Sequence, residues 1–165
     1  MPKAINDPLL LIGKIFCIFI QGAMAIGAVA LVIAIPAILL AQGAIEAEIA
    51  KELPTLDMDF PAWLIAAIMA IGLAIVAMLF VFFGKLRRII GTVGEGDPFQ
   101  PENATRLSQM GWLMLGVQLA LIPATALGIS LARFASEMEE MHLTVDGGWD
   151  IEGILLVIIL FILAR

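Results

Sequence analysis

Long apolar runs alternate with short charged segments along this chain, and the runs predict helices with lipid as their solvent. The first run extends from Ile15 to Ala41, 27 residues without a charge. At 1.5 Å per residue it is about 40 Å long, against a hydrocarbon core of about 30 Å. The helix must therefore tilt or protrude, and Pro36 is a place for its outer half to bend. Beyond it Ile45, Ile49 and Leu53 recur at spacing four with Glu46, Glu48 and Glu52 between them. That spacing carries the helix past the lipid as an amphipathic extension, which Pro54 ends. The second run spans about 61–84, with Pro61 suited to a helix start. The third spans about 110–132 and includes Pro123, which neighbouring helices can tolerate in a membrane.

A fourth run begins near Ile151 and is apolar from Gly153 to Ala164, 12 residues ending at Arg165. About 18 Å is too short to cross, and a free carboxylate at that depth finds no partner. The natural protein is expected to continue past this point, completing the helix and adding a tail. The predicted fold is all-α: a single membrane domain over 1–165, a bundle of four transmembrane helices.

Composition agrees with the pattern. The chain is 62% hydrophobic, with a mean hydropathy of +1.06, whereas soluble domains are about 45–50% apolar. Excess of that size would leave a water-soluble fold with large exposed apolar patches. The N-terminus lacks a basic cluster followed by a short apolar core and a cleavage site, so the first helix is expected to act as its own insertion signal. The lone Cys17 can make neither an internal disulfide nor a cysteine-based zinc site.

Charge placement predicts orientation. Lys3, Lys14, Lys85, Arg87, Arg88, Arg106 and Arg165 fall on one side of the predicted topology, and only Lys51 and Arg133 on the other. Of the 15 acidic residues, 11 lie in the first and third loops. Excess Lys and Arg mark the cytoplasmic side, so both termini are expected in the cytoplasm, in a bacterial inner membrane. Trp63, Trp112 and Trp149 lie near predicted helix starts, where the indole ring favours the interface. The net charge of −6 would argue against nucleic acid if it were spread evenly, which it is not; no direct nucleic-acid partner is expected.

Helix packing is also readable. Gly116, Ala120, Ala124, Gly128 and Ala132 follow one another at spacing four, a small face that lets another backbone approach. Ala66, Ala70 and Ala74 repeat the spacing in the second run. Gln21 and Gln118 are the amides well inside the apolar runs, at a shared depth, and a hydrogen bond between them is expected to contribute about 0.6 kcal/mol.

Chemistry is hard to find. No charge sits in the middle of a spanning run, as proton relays and ion pathways usually require. There is no phosphate loop, no nucleophile beside a base and no paired histidine. The single His142 follows Glu137, Glu139 and Glu140, a segment that reads as solvated rather than metal-binding. No catalytic, cofactor or metal residue is assigned, and an enzyme is not expected.

The most informative stretch lies between the second and third runs. It is turn-rich at Gly94, Gly96 and Pro98. Pro101 and Glu102 then suit the first turn of a helix that becomes the third run. Asn103 and Arg106 share a face of it. The spacing Gly96-x-Pro98-Phe99-x-x-x-Asn103-x-x-Arg106-Leu107-x-x-x-Gly111 resembles the signature of the family called domain of unknown function 2975. Its four-helix layout is similar over the whole chain. The resemblance implies a small bacterial membrane protein of unassigned activity, whose gene often neighbours that of a small helix-turn-helix regulator. It makes Pro98, Phe99, Asn103, Arg106 and Leu107 the candidate contacts for such a cytoplasmic DNA-binding partner, with the bilayer as the constant one. The competing expectation is an accessory subunit of a larger membrane complex, packed through Gly116, Ala120, Ala124 and Gly128.

Overall fold

The computed structural model describes residues 8–52, 60–94 and 99–137. They form three helices, α1 (Pro8–Glu52), α2 (Ala62–Gly94) and α3 (Pro101–Glu137), with no strand among the described residues. All three are long and apolar enough to cross a membrane, over Pro8–Glu48, Ala62–Gly94 and Pro101–Phe134. The expected fourth helix, about 151–165, lies outside the described residues, as do Leu53, Pro54, His142 and Trp149.

Each helix outruns its apolar core. α1 is 45 residues long, about 68 Å at the usual rise. It runs on past Ala41 through the Glu46–Glu52 segment, as the spacing of Ile45 and Ile49 leads one to expect. The helical backbone is continuous through Pro36 and Pro123. α2 starts where Pro61 places it, with its carbonyl accepting from Leu64 N at 3.0 Å and Ile65 N at 3.2 Å. α3 starts at Pro101, whose missing N–H is no loss in a first turn. Glu102 there favours the positive end of the helix, and Asn103 N donates to Gln100 O at 2.9 Å.

The middle helix holds the other two. α2 packs against α1 on one side and α3 on the other, and among the described residues no α1 Cα comes within 8 Å of α3. Both pairs are antiparallel. Along α1 and α2, Leu10 lies beside Gly94, Gly13 beside Ile90 and Gln21 beside Gly84. Along α2 and α3, Thr92 meets Asn103, Lys85 meets Gln109 and Met78 meets Gly116.

The α1 seam has a heptad period. Between Pro8 and Ile45 the residues not exposed are Leu10, Cys17, Met24, Leu31, Ile38 and Ile45, then Gly13, Ile20, Gly27, Ala34 and Ala41, and the flanking Gln21, Ala28, Ile35 and Gln42. Steps of three and four alternate without a break, the 3.5-residue repeat of a left-handed coiled coil. The first row is large apart from Cys17 and the second mostly small, so large side chains seat beside a close backbone. At Gly13, an added Cβ would lie 3.5 Å from Ile90 Cδ1.

Little of the molecule is enclosed. Phe82 and Met110 centre a small α2–α3 core, with Phe83, Leu86, Ile89, Leu107, Leu113 and Met114 packed around them. The Phe82 and Phe83 rings meet edge-on, 5.6 Å apart and at 77°. Large apolar side chains on every helix face outward, from Leu9, Ile12, Phe16 and Phe19 on α1 to Leu119, Ile122 and Ile129 on α3. Water would penalise such a surface, whereas lipid accepts it. The described residues are those of a helical membrane protein.

Candidate functional site

The turn between α2 and α3 is built around a buried polar chain. Arg106 Nη1 donates to Asn103 Oδ1 at 2.8 Å. Asn103 Nδ2 donates to Thr92 Oγ1 at 2.7 Å, and Thr92 Oγ1 donates to the Ile89 carbonyl at 2.8 Å. Asn103 is 4% exposed and Thr92 9%. The chain joins the last turns of α2 to the first turns of α3, and every link points the same way. Buried polar groups of this kind are costly unless paired. Pairing here fixes both the spacing of the helices and the path of the turn.

This geometry sorts the candidate contacts. Phe99 stands on the turn and is 94% exposed. Arg106 is half-buried, with its guanidinium held by Asn103. Asn103 faces inward, and Leu107 packs on the Phe82–Met110 core. Both therefore act inside the fold, not on its outer surface. Pro98 and Gly96 lie outside the described residues. Thr92 was not foreseen: a threonine in a Gly-rich helix end resembles turn punctuation, and its one signal is the spacing of 11 residues to Asn103 across an antiparallel turn.

The same end of the bundle is cationic. Lys85 Nζ bridges α2 and α3 by donating to Gln109 Oε1 at 2.6 Å. Arg87 is half-buried and Arg88 exposed. Among the described residues no carboxylate pairs with Lys85, Arg87 or Arg88; the ion pair there is Lys51–Glu48, 3.0 Å apart and largely exposed at the opposite end. Such a pair contributes little.

The packing residues divide as well. Gly116 makes the close approach: a Cβ there would sit 2.9 Å from Met78 Sδ. Ala120, Ala124, Gly128 and Ala132 are half-buried, but among the described residues nothing lies within 4 Å of a Cβ built on Gly128. Ala66 is buried, while Ala70 and Ala74 are exposed on the outer stripe of α2. The expected pairing of Gln21 with Gln118 does not occur, because α1 and α3 stand on opposite sides of α2. Gln21 Nε2 instead donates to the Phe80 carbonyl at 3.2 Å. Gly84, one turn on, leaves the room, since its Cβ would stand 3.1 Å from that nitrogen. Among the described residues no three metal-ligating side chains converge.

Comparison with family models, with curated proteins and with solved structures finds no match to this chain.

Proposed function

We propose that this chain is a non-enzymatic integral membrane protein of a bacterial inner membrane, with its N-terminus and the α2–α3 turn in the cytoplasm. There it acts as the membrane-embedded partner of a small helix-turn-helix regulator, held at the membrane or released from it. The observation that carries this reading is Phe99: a large aromatic ring almost wholly exposed, on a turn held in place by the buried Arg106–Asn103–Thr92 chain. An exposed aromatic on a rigid support fits a contact surface, where such residues are enriched. Orientation rests on the excess of Lys and Arg at this end of the helices, and the regulator on the resemblance of the Gly96–Gly111 spacing to domain of unknown function 2975.

The test is a mild-detergent capture of the full chain from its native membrane, read by mass spectrometry, alongside Phe99→Ala. A small DNA-binding protein present with the native chain and lost with the variant supports the regulator. Its presence with both chains, or its absence from both, sinks that role for Phe99.

One observation favours a second reading. The half-buried small face at Ala124 and Gly128 is open enough to admit another helix. In that reading the chain is an accessory subunit of a larger membrane complex. Stoichiometric membrane subunits in the capture, displaced by Gly128→Leu, would then replace the regulator.

A further inference from the structure

Two grooves flank one ridge of α2, and both reach Lys85. The first, about 610 Å³, lies between α1 and α2. Ile18, Ala25, Phe80 and Val81 make its apolar walls, the Gln21 amide lies among them, and Lys85, Arg87 and Arg88 stand at its end. The second, about 330 Å³, lies between α2 and α3, where Met78, Val81, Trp112 and Leu113 line it beneath Lys85 and Gln109. Val81 and Lys85 belong to both. The ridge thus separates two channels that converge on Lys85, with Arg87 and Arg88 at the end of the first.

We propose that this surface binds a single anionic diacyl phospholipid, its two acyl chains lying on either side of Val81 and its phosphate held by Lys85, Arg87 and Arg88. Lys85 gives one of its three N–H groups to Gln109 at 2.6 Å, and two remain for a phosphate oxygen. Arg87 and Arg88 have no carboxylate partner among the described residues. Guanidinium groups suit phosphate oxygens through paired, charge-assisted bonds. Trp112, 64% exposed beside the second groove, is a residue type that sits at headgroup level. The helices provide apolar depth below that level and charge above it, which is the layout of a lipid in its leaflet. A free phosphate would use the cations and leave both grooves empty. The inference rests on the chain being a membrane protein, and not on the regulator.

The experiment is native mass spectrometry of the full chain in detergent, titrated with dioleoyl phosphatidylglycerol, dioleoyl phosphatidylcholine or inorganic phosphate. The native chain is expected to retain one phosphatidylglycerol at concentrations where it retains neither phosphatidylcholine nor phosphate. Each cation near the headgroups contributes about fivefold in affinity, so Arg87→Gln with Arg88→Gln should weaken retention about 25-fold. Ala25→Trp, at an exposed groove position, fills an acyl channel without touching charge, and it should also abolish retention while helix content by circular dichroism stays native. Equal retention of the two lipids would overturn the proposal and leave the cations to an acidic protein surface. So would phosphate binding as tight as the lipid's, or native retention by both variants.

Discussion

Asn103 on α3 donates its amide to the Thr92 hydroxyl on α2 at 2.7 Å, and both residues are buried. The pair ties a helix end to a helix start across the turn that carries Phe99. Thr92→Val keeps the shape and removes the hydroxyl that accepts from the Asn103 amide N–H. The expected loss is about 1–3 kcal/mol, read as thermal unfolding in detergent. Thr92→Ser keeps the hydroxyl and should recover most of it. Equal stability of native and valine forms would mean the bond contributes nothing.

Gly116 and Gly128 both lie on α3 with different surroundings. Gly116→Val pushes into Met78, 2.9 Å from the first added carbon, and should destabilise by about 1–3 kcal/mol. Gly128→Ala meets nothing within 4 Å among the described residues and should stabilise by about 0.5–1 kcal/mol through helix propensity alone. Unfolding midpoints of the two variants should therefore move in opposite directions, and movement in the same direction would refute the contrast.

Gln21 and Gly84 are coupled. An alanine at 84 places its Cβ 3.1 Å from Gln21 Nε2, so part of the propensity gain is lost to crowding. In a Gln21→Ala background the crowding is gone, and Gly84→Ala should stabilise by about 0.5–1 kcal/mol. A double-mutant cycle should show a coupling of at least about 0.5 kcal/mol, the lower end for residues in contact. Strict additivity would show that the amide does not need the glycine.

Topology is testable with thiols, because the native Cys17 is 1% exposed and should label slowly. Single cysteines at Glu48 and Gly94 sit at opposite ends of the described helices. A membrane-impermeant maleimide added to intact cells should label Glu48→Cys and spare Gly94→Cys. The reverse pattern would invert the proposed orientation.

Helix identity was legible where polarity changes abruptly. Pro61 and Pro101 marked two starts, and spacing-four isoleucines carried α1 into its outer extension. Packing was less legible for a physical reason. Inside an apolar run nearly every position is hydrophobic, so polarity has no period, and the α1 seam shows only in residue size, large at Leu10, Met24 and Leu31 and mostly small at Gly13, Gly27 and Ala34. Shared depth suggested Gln21 with Gln118, but depth does not tell which helices are neighbours. A backbone carbonyl at Phe80 offers no side-chain signal at all. In the turn motif, Asn103 and Arg106 were placed on one face correctly, yet the burial of Asn103 depended on Thr92, whose part was visible only in three dimensions.

The heptad seam settles how α1 and α2 face each other but leaves their axial alignment degenerate. A slide of seven residues, about 10 Å, brings large rows back onto small ones. Gln21 breaks that degeneracy. Only one alignment sets its amide against the Phe80 carbonyl at a point where Gly84 clears the space; a slipped hairpin would strand the amide in hydrocarbon. A modest hydrogen bond thereby works as an index mark, selecting one alignment among repeats that packing alone would accept.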